Sequence, residues 1–292
     1  MADHPTVSES KFRHAREEAR DAQRAVPSRQ TRSKSYTLAF QDTEFLLRDD
    51  LRPVRFQLEL LKPELLLDEA GIASTFVFYG SARIPSPEAA QEGIDAARSE
   101  TERRVAERLA AKAHYYDEAR KLAQIAAQFP PNEAGCRHFV VCSGGGPSIM
   151  EAANRGAADV GAKTIGLNIV LPHEQTPNQY VTPDLSFQFH YFALRKMHFT
   201  LRARALAVFP GGFGTFDEFF ELLTLVQTGK MKRIPILLFG RDFWTRVVNF
   251  EALAEEGVIS PRDLDLISWV ETAEEAWAVV ERFYVDAGDL PC

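Results

Sequence analysis

Cysteine is scarce: the 292 residues hold three, Cys136, Cys142 and Cys292. They show no C-x-x-C spacing and no nearby histidine pair, which argues against a disulfide framework and against a zinc site. Long apolar runs are missing as well. None approaches the roughly 18–20 residues that a membrane span needs, and the polar N-terminus lacks the apolar core of a signal peptide. Positive charge is in deficit, with 34 Lys and Arg against 41 Asp and Glu, a net charge of −7 and a pI near 5.6. No nucleic-acid-binding surface is expected from that balance, and the cytoplasm is the expected compartment. What the chain does have is core-forming material: 45% of its residues are hydrophobic, enough for one large domain with an appendage.

The familiar nucleotide fingerprints are also lacking. Gly144-x-Gly146 would need a glycine at 149 to complete G-x-G-x-x-G and finds Ile149, and Gly212-x-Gly214 finds Asp217. Gly229-Lys230 is followed by Met231 and has no upstream glycine, so it is not a P-loop. A dinucleotide enzyme and a triphosphatase are therefore disfavoured. Glycine-rich turns are nevertheless present. Ala205–Phe209 reads as a buried strand, Pro210-Gly211-Gly212-Phe213-Gly214-Thr215 as a turn, and Phe219, Leu222, Leu223 and Val226 as the apolar stripe of the following helix. Backbone N–H groups at such a helix start attract a phosphate, and glycine lets the ligand approach. Glu218 stands three residues after Thr215, so a capping box between them is an equally good local reading of that carboxylate.

In chain order, residues 1–40 are polar and read as disordered or frayed, and 41–71 as a helical appendage with Pro53 in a first turn. The appendage carries more apolar side chains than one helix can hide, which points to packing on the main domain or on another subunit. Residues 72–292 alternate strands with helices. Strands are expected at 75–79, 138–142, 164–169, 186–191, 205–209, 234–239 and 266–270, with one long helical stretch over 88–128 and further helices over 192–203, 243–253 and 272–284. The fold class is α/β, a doubly wound, mainly parallel sheet with helices on both faces. A second glycine-rich turn, Ser143-Gly144-Gly145-Gly146-Pro147-Ser148, follows the second strand, and Ser148 with Glu151 fits another capping box. Gly80-Ser81-Ala82-Arg83 follows the first strand and fits either a phosphate or ribose contact or an ordinary turn with a surface arginine. The polar loop 172–178, with two prolines, has the character of a segment that edges a site. His173, His190 and His198 read as structural or surface residues.

Pro210-Gly211-Gly212-x-Gly214-Thr215-x-x-Glu218 resembles the P-G-G-x-G-T-x-x-E signature of the LOG ("lonely guy") family of cytokinin riboside 5′-monophosphate phosphoribohydrolases, proteins long labelled lysine decarboxylases. The resemblance extends to Gly80-Ser81-Ala82-Arg83, to Ser143–Pro147, to Asn168-Ile169-x-Leu171-Pro172-x-Glu174-Gln175-x-Pro177-Asn178, to Arg195-Lys196 and to Thr228-Gly229-Lys230. It covers roughly residues 73–285. Phe192-Ala193-Leu194 before Arg195-Lys196, in place of the Met-His-x of shorter members, resembles the longer bacterial, second-type form. The resemblance implies a Rossmann-like fold and hydrolysis of the N-glycosidic bond of a purine nucleoside 5′-monophosphate, AMP or a cytokinin riboside monophosphate, to free base and ribose 5-phosphate. It implies that Glu218 and Arg195 are catalytic. Gly211, Gly212, Gly214, Thr215, Gly80, Ser81, Gly144, Gly145, Gly146 and Lys196 are the expected phosphate- and nucleotide-binding residues.

No cofactor and no metal are required by that chemistry. The expected assembly is a homo-oligomer, a dimer or higher, up to a hexamer. A carrier or sensor on the same scaffold, as in molybdenum-cofactor carriers, is the alternative function, and a DNA-processing-type protein is disfavoured by the acidic charge. Lysine decarboxylation needs a pyridoxal-phosphate lysine, for which no supporting constellation is evident.

Overall fold

The computed structural model describes residues 13–172 and 176–287. His173, Glu174 and Gln175 of the polar loop, Cys292, and the first twelve residues of the N-terminal segment lie outside the described residues. Two compact units divide between Leu61 and Lys62. The first contains α1 (Ala15–Ala22), α2 (Thr43–Leu46) and the opening turns of α3 (Arg52–Glu69). Pro53 stands in the first turn of α3, where a missing N–H costs nothing.

The second unit is built on seven parallel strands: β1 (Thr75–Tyr79), β2 (Val140–Ser143), β3 (Thr164–Ile169), β4 (Ser186–Phe189), β5 (Ala203–Val208), β6 (Ile236–Phe239) and β7 (Ile267–Val270). They lie in the order β4-β3-β2-β1-β5-β6-β7. The chain winds outward from β1 in one direction, returns, and winds outward in the other, so strand order reverses between β1 and β5. That reversal opens a crevice at the carboxyl ends of the two strands. Phe78 of β1 is in register with Ser143 of β2 on one side and Ala207 of β5 on the other, which brings all three following turns to one end of the sheet. The strands are nearly free of charge because both faces are covered.

Helices α4 (Pro87–Asp95), α5 (Glu100–Ala110), α6 (His114–Ala127), α7 (Ile149–Asp159), α8 (Phe192–Leu201), α9 (Phe213–Gln227), α10 (Arg241–Val247), α11 (Phe250–Glu255) and α12 (Ala273–Ala287) complete the unit. On one face Phe76, Phe78, Val141, Ala205 and Ala207 pack against α6, α7 and α12 through Tyr116, Leu122, Ala153 and Val280, all buried. Alternate residues point to the opposite face, where Tyr79 meets Phe199 of α8 edge-on at 5.1 Å between ring centroids.

Two of the expected long helices are broken. The helical stretch 88–128 is three helices, because the Ser99 hydroxyl accepts the Glu102 N–H while the Glu102 carboxylate accepts the Arg98 N–H, restarting the chain as α5. The stretch 243–253 is two helices, because Val248 is extended and Asn249 caps α11 through the Ala252 N–H at 3.1 Å. Apolar periodicity runs through all three breaks, which is why the sequence pattern alone joins them.

Candidate active site

The crevice between β1 and β5 is a cavity of about 950 Å³. Its wall is made by the turn after β1 (Gly80, Ser81, Arg83), by the turn after β5 (Gly211, Gly212, Phe213) and by the start of α9 (Gly214, Thr215, Glu218). Arg195 reaches it from α8, and Lys112, Met150, Phe243 and Val247 close it from three other elements.

Helix α9 starts earlier than a capping box would allow. Gly212 is its N-cap and makes no side-chain cap, so Thr215 is already the third helical residue and Glu218 lies in the second turn. The geometry removes the capping alternative for Glu218. Thr215 is buried instead against the turn, and a Cβ at Gly211 would sit 2.1 Å from its Oγ1, so only glycine fits there. The N–H groups of the first turn of α9 are thereby left facing the crevice with no side-chain cap.

Glu218 is held by one partner. Arg195 Nη1 donates to Glu218 Oε1 at 3.0 Å, with the two side chains 11% and 13% exposed. Arg195 is itself fixed at two further points: its Nε donates to the Leu167 carbonyl at the end of β3 at 2.7 Å, and its guanidinium lies 5.1 Å from the centre of the Phe199 ring, one turn along α8. Gly144 makes room for this guanidinium, since a Cβ there would stand 2.6 Å from Arg195 Nη2. Burial pushes the Glu218 carboxyl up from its ordinary value to about 7, with Asp217 and Glu221 adding to the rise and Arg195 and Lys196 opposing it. A carboxyl titrating near neutrality can exchange a proton with a reacting group on either side of pH 7.

The remaining expected site residues separate into two sets. Gly80, Ser81, Gly211, Gly212, Gly214 and Thr215 line the cavity with Arg195 and Glu218. Gly145 and Gly146 of the second turn lie outside the cavity lining: the Gly145 N–H donates to the Ser143 hydroxyl at 3.0 Å, and the Gly146 carbonyl accepts from Asn178 Nδ2 at 3.0 Å. Lys196 also lies outside the lining, bridging Asp217 and Glu221 of α9 at 3.2 Å each. The capping box expected at Ser148 is absent as well. Ser148 sits at φ 65°, its hydroxyl donates to the Ile84 carbonyl, and Glu151 instead accepts from the Tyr116 hydroxyl at 2.9 Å. Of the residues unmarked in the sequence, Phe199 had a readable signal, its i+4 spacing from Arg195. Lys112, Phe243 and Val247 had none, since only the fold brings α10 and the α5–α6 junction to the crevice.

An all-parallel sheet with helices on both faces and a crevice at its switch point defines the Rossmann-like class, and the chain is a member of that class. A family model described as "Possible lysine decarboxylase" matches residues 150–280. The cytokinin riboside 5′-monophosphate phosphoribohydrolase LOG3 of Arabidopsis thaliana is 27% identical over 156 residues, 52% of this chain and 71% of that protein. A pyrimidine/purine nucleotide 5′-monophosphate nucleosidase of Escherichia coli strain K12 is 30% identical over 125 residues, 37% of this chain and 26% of that protein. The solved Moco carrier protein of Chlamydomonas reinhardtii is 16% identical, with 73% of this chain and 98% of that chain covered and a TM-score of 0.43. Over part of its length, residues 150–280 in the family model, the chain is similar to the LOG-type proteins. Among the described residues no helix is long and apolar enough to cross a membrane, and no group of three His, Cys, Asp or Glu side chains could hold a metal ion.

Proposed function

We propose that the protein hydrolyses the N-glycosidic bond of purine nucleoside 5′-monophosphates, AMP or a cytokinin riboside 5′-monophosphate, giving the free base and ribose 5-phosphate. The observation that carries this reading is the buried Glu218–Arg195 pair opening onto the same cavity as the uncapped start of α9. The names of the two relatives, a phosphoribohydrolase and a nucleotide nucleosidase, support it.

In the proposed reaction the 5′-phosphate lies at the first turn of α9, against Gly211, Gly212, Gly214 and Thr215. The C1′–N bond breaks with its electron pair leaving on the base, positive charge develops on the ribose, and a water oxygen bonds to C1′. The ionised Glu218 stabilises that charge and takes the proton of the attacking water. The departing base nitrogen takes up a proton from solvent, so that one water is consumed and Glu218 returns to its ionised form by releasing its proton. Arg195 keeps Glu218 oriented through its three contacts and holds part of the carboxyl population ionised at neutral pH. Gly80 and Ser81 border the ribose, and Gly144 serves the site through Arg195.

Incubation with AMP and a panel of nucleoside monophosphates, with products separated by chromatography, tests the reading. Free base and ribose 5-phosphate should form, and Glu218→Gln should lower kcat/KM by about 10²–10⁴-fold. Nucleotide binding without turnover in the wild-type protein would support a carrier or sensor instead.

We also infer self-association. Val54, Leu58 and Leu61 are 37%, 51% and 52% exposed on the first unit's part of α3, at the i, i+4, i+7 spacing of a helix–helix seam.

A further inference from the structure

The charges lining the cavity do not balance. Among the described residues that line it, four are charged: Arg83, Lys112, Arg195 and Glu218. Arg195 and Glu218 neutralise one another at 3.0 Å. Arg83 and Lys112 remain, two positive charges facing one concavity on a chain whose net charge is −7. Neither is ion-paired among the described residues. Lys112 Nζ donates to the Arg108 main-chain carbonyl at 2.7 Å, and the only charges acting on it are the like charges of Arg246 and Arg108. Burial, reinforced by those two arginines, lowers its pKa from the ordinary lysine value. Arg83 extends from the turn after β1, where its main-chain N–H donates to the Ser81 hydroxyl at 2.9 Å and shapes the turn.

Two positive charges without an ion-pair partner on one concavity repel one another, and an anion bound between them relieves that repulsion. The anion already required is a phosphate monoester, which carries close to two negative charges at neutral pH. The start of α9 offers only about half a unit of positive charge. We infer that Arg83 and Lys112 form the cationic half of the phosphate subsite, donating N–H groups to the phosphate oxygens beside the start of α9. This assignment deepens the nucleotide reading of the cavity and rests on it. It gives the α5–α6 junction a role in selecting phosphorylated ligands over free nucleosides. It also divides the labour between the two arginines of the cavity, Arg195 serving the carboxylate and Arg83 the phosphate.

Ribose 5-phosphate and inorganic phosphate are the probes, because neither has a glycosidic bond and neither is consumed. Their affinities are measured calorimetrically on the full chain for wild type, Lys112→Gln, Arg83→Gln and the conservative Lys112→Arg. Melting temperatures without ligand report folding. Each glutamine variant should bind ribose 5-phosphate about tenfold more weakly, about 1.4 kcal/mol, with an unchanged ligand-free melting temperature. Lys112→Arg should keep at least half of the lost affinity. Adenosine, measured alongside, should bind wild type and variants alike. Affinity for ribose 5-phosphate within twofold of wild type in both glutamine variants would overturn the assignment. So would equal losses for adenosine and ribose 5-phosphate, or a wild-type protein that binds neither phosphate probe. A protein that binds these probes as expected yet cleaves no nucleotide would sink the hydrolase reading and leave the cationic subsite standing.

Discussion

Glu218 is a residue whose chemistry is set by burial more than by its neighbour. Water is withheld from a carboxylate 13% exposed, and one guanidinium at 3.0 Å compensates only part of that loss, so the group titrates at about 7 instead of at its ordinary value of 4.5. The sign for activity follows from the proposed role. The ionised form does the work, so kcat/KM should rise with pH along a limb with its midpoint near 7. Arg195 lowers the Glu218 pKa, so Arg195→Gln should move that limb to higher pH, beyond any loss in its height. A pH–rate series on wild type and variant measures both; an ascending limb near 4.5, or one that Arg195→Gln leaves in place, contradicts the role given to burial. A second cation–carboxylate set, Lys196 of α8 with Asp217 and Glu221 of α9, ties the two helices together from outside the cavity. Its partners are partly exposed, so its worth is small and mainly geometric.

At the scale of elements, the turn after β2 is held by a buried polar network instead of by a cap. The Ser143 hydroxyl donates to Asn154 Oδ1 at 2.7 Å, Asn154 Nδ2 donates to Thr164 Oγ1 at 2.6 Å and to the Ile165 carbonyl at 3.2 Å, and Asn178 Nδ2 donates to Asn154 Oδ1 at 2.9 Å. Asn154 is fully buried in α7 and links β2, β3 and the chain entering β4. This network fixes Gly144, and through it the space that Arg195 occupies. Asn154→Leu keeps the volume and leaves the Ser143, Thr164 and Asn178 groups without this partner. The expected cost is about 2–4 kcal/mol of unfolding free energy, read from denaturant midpoints. A cost below about 0.5 kcal/mol would mean that the turn is held by packing alone.

At the scale of the whole molecule, the sheet gathers at its carboxyl end everything the site needs, while the N-terminal unit contributes the exposed apolar face of α3. If that face is a seam between copies, Leu58→Lys with Leu61→Lys should reduce the mass measured by light scattering at equal concentration. Unchanged mass would exclude α3 from the assembly. The same variant should keep its circular dichroism, since both side chains are about half exposed.

The sequence by itself determined the fold class and pointed to the turns that form the candidate site. Six of the seven strands are charge-free runs of four to six residues and β5 carries one charge, Arg204, near its start, and glycine-rich turns after three strands mark the candidate ligand end. Local signals of this kind survive any tertiary setting, because a strand buried on both faces excludes charge whatever its neighbours are. The strand order, the pairing of Arg195 with Glu218 across 23 residues, and the convergence of Lys112 and the turn after β5 on one cavity were decided only in three dimensions. Capping illustrates the difference. Thr215 and Glu218 have the spacing of a capping box, yet the glycines before them let α9 begin at Phe213, which carries Glu218 past the helix end and into contact with Arg195. Spacing fixes what a side chain can reach along its own helix; which of those reaches is used depends on where the helix starts and what the sheet brings beside it.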